Sequence, residues 1–130
     1  MASILRVNTL TDASSNNSVP MATVSSGTAK AWVNFDGSAS GAAARGSFNL
    51  ASMTDTSTGV YVCNLTNAFA NTNDCAATSS ASASTSGSDN RNISTTITGT
   101  SAIDSRTSNA ASGAVLDAVV NNVSAHGDLA

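Results

Sequence analysis

Alternation of apolar and polar residues with a period of two recurs along the chain, and it marks strands whose successive side chains point to opposite faces. Ile4, Arg6 and Asn8 against Leu5 and Val7 predict a short first strand. A polar loop over 11–19 follows and ends at Pro20, the only proline, which sets an N-terminal arm (residues 1–19) apart from a domain of residues 20–130. From Thr28 onward, Ala29, Ala31, Val33 and Phe35 share one face of a strand while Lys30, Trp32 and Asn34 share the other. Asp36-Gly37 then supplies a turn, because glycine accepts the positive φ of a tight hairpin.

Residues 42–53 read as the returning strand, with Phe48 and Leu50 on one face and Gly41 and Gly46 as places for a bulge or a close backbone approach. Residues 55–59 predict the next turn. Val60-Tyr61-Val62-Cys63-Asn64-Leu65 carries the highest β propensity in the chain. After a loop holding Phe69 and residues 71–74, strands are expected over 75–84, 91–98 and 101–106, with a turn at 86–90 between the first two. The closing strand is expected over 115–125, anchored by Val115, Val119 and Val123. Those valines are also spaced by four, as in a helix, but three β-branched residues and two asparagines make a poor helix, so strand ranks first. Eight or nine short strands divided by turns imply an all-β fold: an antiparallel β-sandwich or jelly roll with a short N-terminal arm.

Composition changes this picture in one respect. Ala (23), Ser (23), Thr (16) and Asn (14) make up 76 of 130 residues, and Glu and Gln do not occur. Leu, Ile, Val and Phe number only 23, near the level that warns of disorder, yet the net charge is a modest −3. Long helices are excluded by the scarcity of straight-chain helix formers. A core built largely of Ala and Ser buries little area per residue, so a lone subunit is expected to be marginal, with association supplying the missing burial.

Charge and motifs remove most chemistry. Five scattered basic residues and a pI near 4.5 argue against nucleic acid as a partner. No apolar run reaches the roughly 18 to 20 residues of a membrane span, and residues 1–10 lack the features of a signal peptide, so a soluble product made in the cytoplasm is expected. Cys63 and Cys75 stand twelve apart, the wrong spacing for a redox CxxC or a zinc knuckle. They read as two half-buried thiols; a disulfide formed after release from the cell, across neighbouring strands of a hairpin, is the minority reading. No cofactor or metal is expected.

His126 with Asp117 or Asp128 is the only acid/base grouping on which a hydrolase could be built, and its position near the end of the chain favours a solvated terminus. Asn64-Leu65-Thr66, Asn92-Ile93-Ser94 and Asn122-Val123-Ser124 match the glycosylation acceptor pattern, as chance allows in so Asn- and Ser-rich a chain. Trp32 and Tyr61, the only large amphipathic aromatics, are candidates for core packing, for a subunit interface or for stacking on a host-surface sugar.

Several segments together resemble a module of small fibre-like virion proteins of tailed bacteriophages, many of them marine. The resemblance rests on Thr28-Ala29-Lys30-Ala31-Trp32-Val33-Asn34-Phe35-Asp36-Gly37, on Ala44-Arg45-Gly46-Ser47-Phe48-Asn49-Leu50 with Ser52-Met53-Thr54-Asp55, and on Thr58-Gly59-Val60-Tyr61-Val62. In that family a strand AKAWVNFNG precedes a segment ending SFNVSSITD, a GxYxV strand and a terminal strand. Ser3-Ile4-Leu5-Arg6-Val7-Asn8-Thr9-Leu10 is similar to the arm before the module, and residues 119–128 agree more weakly with its end. Residues 75–114 match no pattern of the family.

The resemblance implies a non-enzymatic virion structural protein made in the host cytoplasm, placed in a tail or tail fibre, with a capsid decoration protein as the alternative. It implies other virion proteins and copies of the chain itself as partners. Ile4, Leu5, Val7 and Leu10 of the arm, with Trp32 and Tyr61, are the expected interface residues. Trp32 lies opposite the smaller-residue face of its strand, so its indole is predicted to point outward and to be buried between subunits. A homotrimer is favoured because proteins similar to this one are commonly three-fold. A host-carbohydrate-binding module is the remaining reading.

Overall fold

The computed structural model describes residues 3–84 and 91–130; the turn expected at 86–90 lies outside them. The first strand forms later than the alternation predicted. Residues 3–8 have no regular structure, and β1 (Thr9–Thr11) pairs antiparallel with β2 (Ser18–Pro20). The polar loop between them is a tight turn held by Asp12, whose carboxylate accepts from the Asn16 backbone N–H (3.0 Å) and the Asn17 amide (2.7 Å). Pro20 then opens α1 (Met21–Gly27), a seven-residue helix that strand alternation did not foresee. A proline at a helix start costs no hydrogen bond and has its φ preset.

Eight strands build two antiparallel sheets, as the sandwich reading expects. They are β3 (Ala31–Asp36), β4 (Ala43–Phe48), β5 (Leu50–Ser57), β6 (Val60–Leu65), β7 (Cys75–Ser82), β8 (Arg91–Gly99), β9 (Ala102–Asn109) and β10 (Val120–Gly127). One sheet has the order β4-β3-β10-β7 and the other β5-β6-β9-β8. Inward side chains follow the alternation: Ala31, Val33 and Phe35 from β3, Tyr61, Cys63 and Leu65 from β6, Ile103 from β9, and Val123 and Ala125 from β10 are buried. Phe35 and Tyr61 meet edge to face at 5.1 Å between the two sheets, an arrangement that aromatic quadrupoles favour. On one side of the sandwich the Thr95 hydroxyl of β8 donates to Ser79 of β7.

Two further expectations need correction, and a third holds. Residues 42–53 are two strands in different sheets, because Asn49 takes a left-handed backbone (φ 58°) that turns the chain from β4 into β5. The Asn49 side chain holds that crossing, its amide donating to the Lys30 and Asn67 carbonyls (3.0 Å each). The bulge expected near Gly46 is present: Arg45 is the extra residue between Gly46, opposite Asn34, and Ala44, opposite Phe35. Finally, the closing strand starts at Val120, and residues 115–119 instead cross the end of the sandwich. The preference for strand over helix in that segment holds.

Candidate binding face

Two clusters of aromatic, amide and hydroxyl groups stand out, one inside the sandwich and one outside. The inner cluster closes the end where residues 115–119 cross. Tyr61 is fully buried, and its hydroxyl donates to Asp117 Oδ1 (2.8 Å) while lying 3.1 Å from the Gly37 carbonyl oxygen. The Gly59 N–H donates to the same carboxylate oxygen (2.7 Å). Beside them the buried Thr107 hydroxyl donates to Asn121 Oδ1 (3.1 Å), and the Asn121 amide donates to the Ala118 carbonyl (2.8 Å). Burial, then the Asp117 hydrogen bond, raises the Tyr61 phenol above its ordinary value, so it stays neutral. Glycine is required at two places here: a methyl at Gly37 would strike the Tyr61 hydroxyl, and Gly59 has φ 65° with the Leu116 and Thr107 carbonyl oxygens 2.7 Å from where a Cβ would sit.

This burial corrects the reading of Tyr61. It is a core residue, and no partner or sugar can reach its ring.

The outer cluster covers the exposed face of the β4-β3-β10-β7 sheet. Trp32 is 45% exposed and points outward, as the alternation predicted. Register places it opposite Phe48 on β4, itself 53% exposed, and opposite Ser124 on β10, which in turn faces Thr78 on β7. One pleat along, Asn34, Asn122 and Ser80 stand in a second row across β3, β10 and β7. Their side chains are joined: the Asn34 amide donates to Asn122 Oδ1 (2.7 Å) and the Asn122 amide to Ser80 Oγ (3.2 Å).

Between the rows lies a shallow depression of about 480 Å³, lined by no charged side chain. Two residues past Asn34 on β3, the Asp36 carboxylate is paired with Arg45 at 2.6 Å and accepts from Ser38; the Ser38 bond and then the arginine hold it below the usual carboxylate range. The alternation had already put Asn34 beside Trp32. Phe48, Asn122, Ser80, Ser124 and Thr78 join them through strand pairings that no local pattern announces.

The arm residues are placed as exposed groups: Ile4 76%, Leu5 80%, Val7 38% and Leu10 42%. Cys63 and Cys75 are free thiols on β6 and β7, which belong to different sheets, so they do not face each other across a hairpin. Burial and the Asp104 charge push the Cys63 thiol up to about 12, which keeps it protonated and inert at neutral pH. His126 and Asp117 sit at opposite ends of the sandwich: His126 faces Ala76 near the start of β7, whereas Asp117 is engaged with Tyr61 and Gly59. Among the described residues no group of three or more His, Cys or Asp side chains could hold a metal ion, and no helix is long and apolar enough to cross a membrane. Compared with family models, curated proteins and solved structures, the chain matches none.

Proposed function

We propose that this chain is a non-enzymatic structural component of a bacteriophage virion, placed in a tail or tail fibre and joined to its neighbours through the N-terminal arm. The observation that carries this reading is the arm itself. Residues 3–8 pair with no strand among the described residues, yet they present Ile4 and Leu5 almost fully to solvent. Large apolar side chains on a segment that lies outside any strand are suited to strand addition, in which backbone hydrogen bonds give affinity and alternate side chains fill pockets on the acceptor. Ile4 and Arg6 fall on one side of such a strand, and Leu5 and Val7 on the other.

The segments that resemble phage virion proteins also support the reading by where they fall. Residues 28–37 make β3, residues 44–48 make most of its neighbour β4, and residues 119–128 make its other neighbour, β10. Residues 50–55 fall in β5 and residues 60–62 in β6, neighbours in the other sheet, so the similar residues form one block of adjacent strands in each sheet, and the unmatched stretch 75–114 supplies β7, β8 and β9 beside them. Self-association, in a homotrimer, falls to the arms in this reading, because Ile4 and Leu5 are far more exposed than Trp32.

The test is a phage carrying a deletion of residues 1–19. The folded domain should still be made, as circular dichroism of the purified protein can verify, but it should be missing from purified particles. Undiminished incorporation would remove the arm as anchor. Counting copies per wild-type particle separates the two locations: a few to a few tens indicate a tail, and hundreds indicate a decoration protein on the head.

A further inference from the structure

We infer that the outer face of the β4-β3-β10-β7 sheet is a binding platform for a neutral oligosaccharide, with the Trp32 indole as the stacking surface and the Asn34, Asn122 and Ser80 side chains as the groups that orient sugar hydroxyls. The inference stands apart from the virion reading, since it concerns only this face and free sugar.

The ring comes first. An indole presents a flat apolar face with a polar edge, and it usually finds cover in a folded protein. Trp32 instead remains 45% exposed, beside a depression lined mainly by small polar residues. It is also supported from below. A methyl at Gly46 would stand 3.6 to 3.7 Å from Cζ3 and Cη2 of the indole, so the ring rests over a strand position that carries no side chain. Phe48, across the strand pair, extends the apolar surface toward the sheet edge.

The polar row supplies direction. Each link of the Asn34–Asn122–Ser80 ladder fixes the next: Asn34 donates to Asn122 and Asn122 donates to Ser80. The direction of donation leaves the Asn34 Oδ1 free to accept and the Ser80 hydroxyl proton free to donate, with the second Asn122 amide proton between them. Strand spacing puts the two ends of the row about 10 Å apart. A preformed, shallow site with a few fixed polar groups beside an aromatic surface is the usual arrangement for a small polar ligand. A sugar hydroxyl, being donor and acceptor at once, matches such an alternating row better than a one-way donor or acceptor does.

Charge selects the class. The depression is lined by amides, hydroxyls, Trp32 and two valines, and the Asp36 carboxylate farther along β3 is already paired with Arg45. That neutrality is not imposed by composition. On the opposite sheet a depression of about 330 Å³ is lined by Asp104 and Arg106 among its seven residues, and it has no aromatic ring. No cation lines the Trp32 depression, so a phosphorylated or acidic ligand would find no charged partner there. A second copy of the chain is a poor occupant too, because six of the nine lining residues carry amide or hydroxyl groups, whereas homomeric interface cores are more apolar and cannot leave such groups unpaired.

Because Trp32 is the only tryptophan, its fluorescence reports on this face alone. The full-length chain is titrated with maltohexaose, cellohexaose, chitohexaose and mannohexaose in turn, with hexagalacturonate as the anionic comparison, and calorimetry measures the same pairs. The expected result is a saturable fluorescence shift with at least one neutral hexasaccharide. Trp32→Ala should abolish that binding by calorimetry, Trp32→Tyr should retain part of it, and Asn122→Ala and Ser80→Ala should each weaken it about tenfold with an unchanged dichroism spectrum.

Should Trp32→Ala fail to fold, Trp32→Tyr and Asn122→Ala decide the matter. The inference is overturned by no saturable response to any of the four neutral sugars. Binding undiminished in Asn122→Ala and in the Trp32 variants overturns it as well, as does tighter binding of hexagalacturonate. A fluorescence shift that follows protein concentration without sugar also overturns it, since a second copy would then cover the indole.

Discussion

The buried end around Tyr61 and the open face around Trp32 are made of the same materials: one large aromatic, two or three amide and hydroxyl side chains, and a glycine that makes room for the ring. Their fates differ because of water. Around Tyr61 the side-chain polar groups of Asp117, Asn121 and Thr107 are answered from within the chain, so the cluster is part of what holds the two sheets together. Around Trp32 the amides are bonded to one another but keep donors and acceptors turned outward. An unanswered polar group costs a fold dearly when buried and almost nothing when wet. The same residue kinds therefore give rigidity in one place and an open recognition surface in the other.

If that contrast is right, damage to the buried end should be expensive and damage to the open face cheap. The largest effect is expected from alkali. Cys63, held in the same core and raised from 9.0 to about 12, binds its proton more tightly folded than unfolded. Its contribution is fully present below pH 9 and is lost as the pH rises through about 12, on the order of 4 kcal/mol in all. Tyr61, also raised, adds a loss of the same sign above pH 10. Chemical denaturation at stepped pH should show this decline. Cys63→Ala should flatten its lower part and Tyr61→Phe its upper part; parallel curves for wild type and both variants would remove these groups as the cause.

Next comes Gly59→Ala. The new Cβ meets two backbone carbonyls at 2.7 Å in a conformation unsuited to a side chain, and a loss of about 3 kcal/mol or more is expected in thermal unfolding. A loss below about 1 kcal/mol would mean that the 115–119 crossing yields easily, and the rigid half of the contrast would fail. Tyr61→Phe at neutral pH should cost about 1 to 3 kcal/mol, since it removes the hydroxyl that serves the Asp117 carboxylate. The smallest effect is expected from Asn122→Ala on the open face, within about 0.5 kcal/mol by the same measurement. A cost comparable to that of Tyr61→Phe would show the ladder to be a structural brace instead of a surface.

Sequence alone could not separate these two regions, and the reason is physical. Alternation reports which side chains share a face of one strand, so it placed Trp32 outward with Asn34 and gave β6 its boundaries, Val60 to Leu65. It reports nothing about which strands become neighbours. Which face of β6 turns inward was open until the sheets packed: Tyr61 lies on the buried face with Cys63 and Leu65, and the 115–119 crossing caps it through Asp117. Asn122 and Ser80 are separated by 42 residues in the chain, and only the β10–β7 register joins them. The break at Asn49 was invisible for a related reason, because a single left-handed residue leaves the hydrophobic pattern on either side unchanged. The helix 21–27 buries no residue and so wrote no apolar stripe.

The pairing of β3 with β10 also sets a timetable. Asn34 and Asn122 are 88 residues apart, whereas Trp32 and Phe48 belong to a hairpin. Hairpin contacts close early and cheaply, and pairings of distant strands come late because the intervening loop must first be closed. On a ribosome, β3 and β4 emerge together while the strand that completes the face is still unmade. For that interval Val33 and Phe35 lie on an unpaired sheet edge, the kind of nascent surface that invites aggregation. A chain built so heavily of Ala, Ser, Thr and Asn offers few other sticky segments to meet it during synthesis, and that frugality lowers the hazard of a sandwich whose first and last strands, β3 and β10, must wait for each other.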